Sequence, residues 1–297
     1  MKLTNNHDLP DPIVWAVKYY EDEYQGSYGN NTHDISVTQL ISPPQIIALT
    51  KQYNDELSED VLDRIWALLG HSVHHILETA EEWAVKYQTS RSETLFEERY
   101  FATCEDWVIS GKIDRYADGV LSDWKLCSVW EHVLGMRPER EQQLNILAWL
   151  MRQQDEPIAP KELEVHSFYR DWSKNQAKRG ENYPPMQFSQ HKIRLWSDDE
   201  CEKFISTRVL MHKAAQAGPS QCTPEDQWAK PTVFAVMKEG RKSAVKLHED
   251  LVEANEHLVR LGDKHSIVTR PGERTRCENY CLVKEKCPQY AREHEDE

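Results

Sequence analysis

The sequence predicts a mixed α/β (α+β) fold, a central mixed β-sheet flanked by helices, from three observations. Residues 110–117 and 120–125 alternate as strands about Asp118-Gly119; Asp-Gly between such runs signals a hairpin, because a type I′ turn needs positive φ at both central positions. A helical stretch opened by Pro138 is followed by a strand-like run at residues 163–169, and strand, helix, strand is a crossover unit. Val61, Ile65, Leu68, Leu69, Ile76 and Leu77 recur with the period of a long amphipathic helix.

Composition bounds the function. A chain of 297 residues, 39% hydrophobic, can bury a real core. No stretch approaches the roughly 18–20 apolar residues of a membrane span, and Met1-Lys2-Leu3-Thr4 opens no signal peptide, so a cytoplasmic protein is expected. A net charge of −14 excludes coating of nucleic acid by bulk electrostatics but leaves room for a local basic groove. Seven cysteines, an odd number without a secretory signal, do not read as a disulfide framework.

Four segments are expected: a lead-in (1–35), a core (36–217), a C-terminal region (218–290) after Gly218-Pro219-Ser220, and a solvated acidic tail (291–297). Ser36 and Ser42 are candidate N-caps, with Pro43 in the first turn of a helix through Ile46 and Leu49. Ser58, followed by Glu59 and Asp60, is expected to start the long amphipathic helix. Residues 95–101 and 107–109 then read as strands of a three-stranded antiparallel meander that ends in the Asp118-Gly119 hairpin. In the helix after Pro138, Leu144, Leu147, Leu150 and Met151 form the expected buried stripe, and Ser197 to Glu200 is a capping box for a later helix. Residues 171–185 mix Lys174, Lys178 and Arg179 with Trp172 and Tyr183, a pattern that suits single-strand binding or an ordinary charged loop. A second hairpin about Glu239-Gly240 carries Lys238, Arg241, Lys242 and Lys246, a cationic ribbon suited to DNA contact.

The first hairpin concentrates the chemistry. With Asp118 and Gly119 as loop residues, Ala117 faces Val120, Tyr116 faces Leu121, Arg115 faces Ser122 and Asp114 faces Asp123. Opposed carboxylates repel at such spacing unless something positive lies between them. Alternation puts Lys125 on the face of Asp123 and Lys112 on that of Asp114. Upstream, His71, His74, His75 and Glu78 share one side of the long helix.

Gly111-Lys112-Ile113-Asp114 followed by Asp123-Trp124-Lys125 resembles the signature of the PD-(D/E)XK nuclease superfamily, in the RecB-like branch that includes phage exonucleases and CRISPR-adaptation nucleases. The spacing from Gly70 to Glu78 resembles that branch's histidine motif, and Gln143-Leu144-Asn145-Ile146-Leu147-Ala148 its Q-L-x-x-Y-A motif, with Leu147 in place of the tyrosine. The resemblance implies a restriction-endonuclease-like core in which His74, Asp114, Asp123 and the Trp124 carbonyl hold Mg²⁺ or Mn²⁺, two ions in all. Lys125 acts on the attacking water, Gln143 flanks the site, and Glu97 or Glu98 assists the metals. His71 and His75 match no ligand of the family and are expected to be structural or solvated. The implied activity is a DNA exonuclease of recombination or repair, of a kind phages encode, with DNA ends and a recombination protein as partners. A catalytically silent DNA-binding subunit and an endonuclease of a defence or adaptation system are the alternatives.

Cys277, Cys281 and Cys287, spaced C-x₃-C-x₅-C, are too tightly grouped to be idle thiols in a reducing compartment and read as metal ligands. The resemblance favours a [4Fe–4S] cluster, while the chemistry alone also allows Zn²⁺. In the iron–sulfur members of the branch the fourth cysteine lies upstream of the nuclease motifs, but here none precedes Cys104. Cys222, in a Pro-bounded loop, is assigned instead, leaving Cys104, Cys127 and Cys201 as small core residues.

Overall fold

The computed structural model describes residues 1–19, 33–87, 94–180, 182–218 and 220–294. Two compact units divide the chain: Met1–Ile47 with Asp55–Gly218, and Ala48–Asn54 with Pro219–Glu297.

The first unit opens with β1 (Lys2–Thr4) and α1 (Asp11–Tyr19), which takes up the apolar run of the expected lead-in. After β2 (Ile35–Ser36), Ser36 caps α2 (Val37–Ile41) in a reciprocal capping box with Gln39. Ser42 ends α2, and α3 (Pro44–Gln52) follows. Ser58 does not start the long helix. It begins β3 (Ser58–Asp60), parallel to β1, and Asp60 instead caps a short 3₁₀ turn from which α4 (Ile65–Lys86) continues. Asp60 wins because its carboxylate accepts the Leu62 N–H at 3.1 Å while also tying down Asn6 and Thr4.

The expected meander is split between two sheets. Residues 95–101 do not form one strand: Glu97 adopts φ 53° and separates β4 (Leu95–Phe96) from β5 (Arg99–Cys104). A second break, at Ile113 and Asp114, separates β6 (Trp107–Lys112) from β7 (Arg115–Ala117). In consequence β5 and β6 pair with β2 in a three-stranded sheet, while β4 and β7 join another built on β8 (Val120–Cys127). The hairpin register is as expected from Ala117↔Val120 to Arg115↔Ser122, with positive φ at Asp118 (54°) and Gly119 (83°).

The short α5 (Trp130–Val133) precedes α6 (Pro138–Arg152), which crosses over to β9 (Glu162–Tyr169); β8 and β9 are parallel, with Asp123 beside Val165. Beyond α7 (Lys174–Ala177), β10 (Phe188–Ile193) completes the five-stranded mixed sheet in the order β10-β9-β8-β7-β4. Helix α6 is buried along all of Leu144 to Met151, rather than on one stripe, and α8 (Asp198–Ala217) packs against it behind the Ser197 capping box. A Cβ at Gly111 would come within 2.4 Å of Leu147 and 2.7 Å of Val37, so this glycine lets α6 and α2 close over β6.

In the second unit, β11 (Ala229–Lys230) precedes β12 (Val233–Lys238), which pairs with β13 (Lys246–His248) across a connection containing Gly240 at φ 77°. Helix α9 (Leu251–Leu261) packs on this hairpin, and β14 (His265–Arg270) adds a third antiparallel strand. β15 (Glu273–Arg274) returns to β11 before α10 (Thr275–Asn279) and α11 (Pro288–Glu293). The expected acidic tail therefore starts inside a helix, and its last residues, 295–297, lie outside the described residues.

Candidate metal centre

Two interruptions meet beside an unbroken strand: the φ-positive Glu97 and the gap holding Asp114, next to β8, which carries Asp123, Trp124 and Lys125. Helix α4 lies against β8 and directs His74 at them. His74 Nδ1 lies 3.5 Å from Asp114 Oδ1 and 3.8 Å from Glu97 Oε1. One ligand atom from each of these residues lies within 4.8 Å of the other two. Asp114 stands off the ladder, and its Oδ2 accepts the Trp124 N–H at 2.6 Å. The Trp124 carbonyl lies 2.9 Å from His74 Nε2, so in this structure it accepts the imidazole N–H.

Asp123 is 2% exposed and Asp114 9%. Lys125 Nζ donates to Asp123 Oδ1 at 2.6 Å, whereas Asp123 Oδ2 is buried with no hydrogen-bond partner among the described residues. A buried anionic oxygen without a donor costs several kcal/mol, a cost that a cation removes. Burial, aided by Asp114, pushes the Asp123 carboxyl above the usual carboxylate range against the pull of Lys125. Burial also pushes Asp114 upward, but the His74 hydrogen bond, Lys125 and the Trp124 N–H outweigh it and hold that carboxyl low. For His74, burial favours the neutral ring, yet Asp114 and Glu97 raise its pKa to about 10. An imidazole that holds its proton this firmly marks a pocket that selects positive charge.

The hard oxygen donors and one imidazole fit Mg²⁺ or Mn²⁺. Of the two glutamates, Glu97 points into the cluster and pairs with Lys112, while Glu98 accepts the Tyr100 hydroxyl at 2.9 Å. The reading of Lys112 as a companion of Asp114 is accordingly replaced by its pairing with Glu97. His71 stays outside the cluster: burial, then His74, lowers its pKa to about 4. His75 is exposed, 3.9 Å from Glu78.

Sequence reasoning missed Arg140. Its Nε and Nη2 donate to Glu131 at 2.8 and 3.2 Å, and both Glu131 and Asp123 favour its charged form. A basic residue one turn into the helix that follows the hairpin was the available signal. Gln143 is half-buried on α6 and makes no hydrogen bond among the described residues. Leu147 is 2% exposed and packs over Gly111, so the position of the family's tyrosine belongs here to the core.

Lys238, Arg241, Lys242 and Lys246 are exposed around the β12–β13 connection. In the loop at 171–185 the aromatic rings are committed elsewhere. Trp172 donates to the Pro184 carbonyl, Tyr183 accepts the Ser173 N–H, and both pack on Cys127 and Tyr169 rather than standing free to stack on bases.

Cys222, Cys277, Cys281 and Cys287 are free and half-buried, and Cys277, Cys281 and Cys287 all bear on the ionisation of Cys222. Burial raises the Cys222 thiol to about 12, with Asp226 and then the other three cysteines adding to the effect. No three of these sulfurs come within 4.8 Å of one another. Gln289 ties down the isolated member: its Oε1 accepts the Cys222 N–H at 2.8 Å and its Nε2 donates to the Cys222 carbonyl at 3.1 Å. Cys201 is fully buried, Cys127 nearly so, and Cys104 packs beside the core.

No family model matches the chain, and no curated protein does. Among solved structures, the crystal structure of SSO0001 is similar over 93% of this chain and 96% of its own, at 12% identity and a TM-score of 0.52. An alkaline exonuclease (LHK-Exo) from Laribacter hongkongensis matches over 61% of this chain and 89% of its own, at 11% identity and a TM-score of 0.37. Its complex with dAMP matches over 62% and 89%, at 11% identity and 0.34. The likeness to SSO0001 is one of fold, and the two weaker ones carry no inference about this chain.

Proposed function

We propose that the protein is a divalent-metal-dependent DNA nuclease, acting as an exonuclease. The observation that carries this reading is Asp123 Oδ2, buried without a donor among the described residues on a carboxylate that holds Lys125 through its other oxygen and feels Asp114, itself grouped with His74 and Glu97.

Asp114, Asp123, His74 and Glu97 would hold the ion, with the Trp124 carbonyl as a further oxygen donor. When bound, the ion supplies charge neutralisation at the scissile phosphate and polarises the phosphoryl oxygen. Lys125, fixed on Asp123 Oδ1, orients the attacking water and stabilises charge that develops on the phosphoryl oxygens. Arg140, held in a fork by Glu131, adds positive potential on the Asp123 side. Gln143 lines the approach from α6, and Lys238, Arg241, Lys242 and Lys246 contact the DNA backbone.

Cys222, Cys277, Cys281 and Cys287 would hold a [4Fe–4S] cluster, with Zn²⁺ as the alternative, since thiolates grouped in one short segment suit either.

The test is release of acid-soluble nucleotides from linear DNA with Mg²⁺ or Mn²⁺, set against a covalently closed circle. Degradation of the linear substrate alone, abolished by EDTA and in Asp114→Asn, is the expected result. Binding of DNA without release of nucleotides under either metal refutes the nuclease, and cleavage of the circle refutes the exonuclease.

A further inference from the structure

The face of α4 opposite His74 is apolar and exposed. Trp66, Leu69, Ile76 and Trp83 on α4, and Tyr87 just past its end, are 57%, 43%, 65%, 61% and 55% exposed, with the Arg170 guanidinium over the Trp66 ring at 4.4 Å. With Val73 and Ala80 they recur at alternating spacings of three and four residues, the repeat of a coiled-coil seam, unbroken from residue 66 to residue 87. At 3.6 residues per turn the seam is about 100° wide and centred roughly 130° from His74. It therefore leaves the metal centre uncovered.

We infer that this seam is the interface of a homodimer in which α4 pairs antiparallel with α4 of a second copy. Three observations select that occupant. Core positions of such a seam face each other across a two-fold axis, and this one is self-complementary about the His74–His75 peptide. Trp66 meets Trp83, Leu69 meets the small Ala80, and Val73 meets Ile76, so each layer joins two aromatics or two aliphatics that fill one space.

The second observation is charge. No core or flanking position of the seam from Ile65 to Ala84 carries a charge, although the same helix holds Glu78, Glu81 and Glu82 on its other faces; the first charge on the seam is Lys86, beside Tyr87 at its end. Loss of charge at the centre is what separates an interface from ordinary surface.

The third is area. Covering these side chains hides about 600 Å² per protomer, taking ~200 Å² for a whole aromatic ring. That is about three quarters of the roughly 800 Å² a side of a standard interface.

The dimer is a property of the full-length protein and does not depend on the nuclease reading, so its test uses mass rather than activity. Sedimentation equilibrium of the purified protein is expected to give a dimer. Ile76→Glu is expected to weaken association at least about 100-fold, since it buries a charge at the central layer, with the melting temperature of the protomer unchanged. Leu69→Lys and Ala80→Glu are each expected to weaken the dimer, and the double variant to restore it. Only the antiparallel register brings residue 69 to residue 80 of the other copy. A wild-type monomer, whatever other protein it captures, or a dimer that survives Ile76→Glu, overturns the proposal. A double variant that stays monomeric overturns the register.

Discussion

In the first unit His74, Glu97 and Asp114 bring ligand atoms within 4.8 Å of one another, whereas no three of the four thiols of the second do so. The difference follows from what carries each set. Asp114, Asp123 and Lys125 lie on or beside paired strands whose register is set by an Asp-Gly turn and by the parallel pairing of β8 with β9. Strand pairing places side chains to within a fraction of an ångström whatever is bound. The cysteines sit in loops and short helices, with Cys277 inside the five-residue α10 and Cys222 held by the Gln289 side chain. A centre on sheet register is built by folding, while one on loops is built in part by what binds to it.

The largest effect that sharpens this contrast is expected at Lys125. Lys125→Met should lower nuclease turnover by about 10³-fold or more, with the melting temperature moved by only a few degrees, as measured by single-turnover degradation beside calorimetry. Full activity in this variant would show that the register-built centre is not the catalytic one.

At the thiols the signs are reversed. Anaerobically purified protein is expected to show a broad visible charge-transfer band and about four irons per chain. Cys281→Ser should lose both, and limited proteolysis should then cut residues 219–294 before the first unit. Equal protease resistance with and without metal would contradict metal-assisted ordering.

Gly111→Ala tests the packing that supports the carboxylates. The added methyl has no room beside Leu147, Val37 and Leu150, and a loss of about 1–3 kcal/mol is expected from denaturant unfolding. No loss would show that α6 can shift without disturbing the sheet.

The most gradual effect is one of pH. His74 has a pKa near 10 in the folded metal-free protein against 6.5 ordinarily. Its proton therefore stabilises the fold fully below pH 6.5, and that contribution fades as pH rises through 10. An ion displaces this proton, so Mn²⁺ affinity should rise with pH over that window by up to about tenfold per unit. His74→Ala should flatten both slopes. A wild-type affinity that does not change with pH would place the ion away from His74.

Much of this was legible in the chain. Asp118-Gly119 announces the hairpin and its register because few residue pairs tolerate two positive φ values. Pro138 marks the start of α6, and Ser197 with Glu200 that of α8, since capping is local chemistry. Glu97 was one of two candidates, and only its left-handed backbone turns it inward while Glu98 goes to Tyr100. Arg140 left only its place in the first turn of α6 as a signal and Gln289 left none, because each acquires meaning from the distant partner it reaches.

The sequence by itself determined the local instructions: the turn, the caps, the periodicities and the carboxylates flanking one hairpin. Tertiary structure alone decided that the strand at residues 95–101 breaks at Glu97, that Asp60 displaces Ser58 as the cap, and that His74 meets Asp114 and Glu97. Propensity acts between neighbours in the chain, whereas hydrogen-bond competition and burial act between residues that only folding brings together.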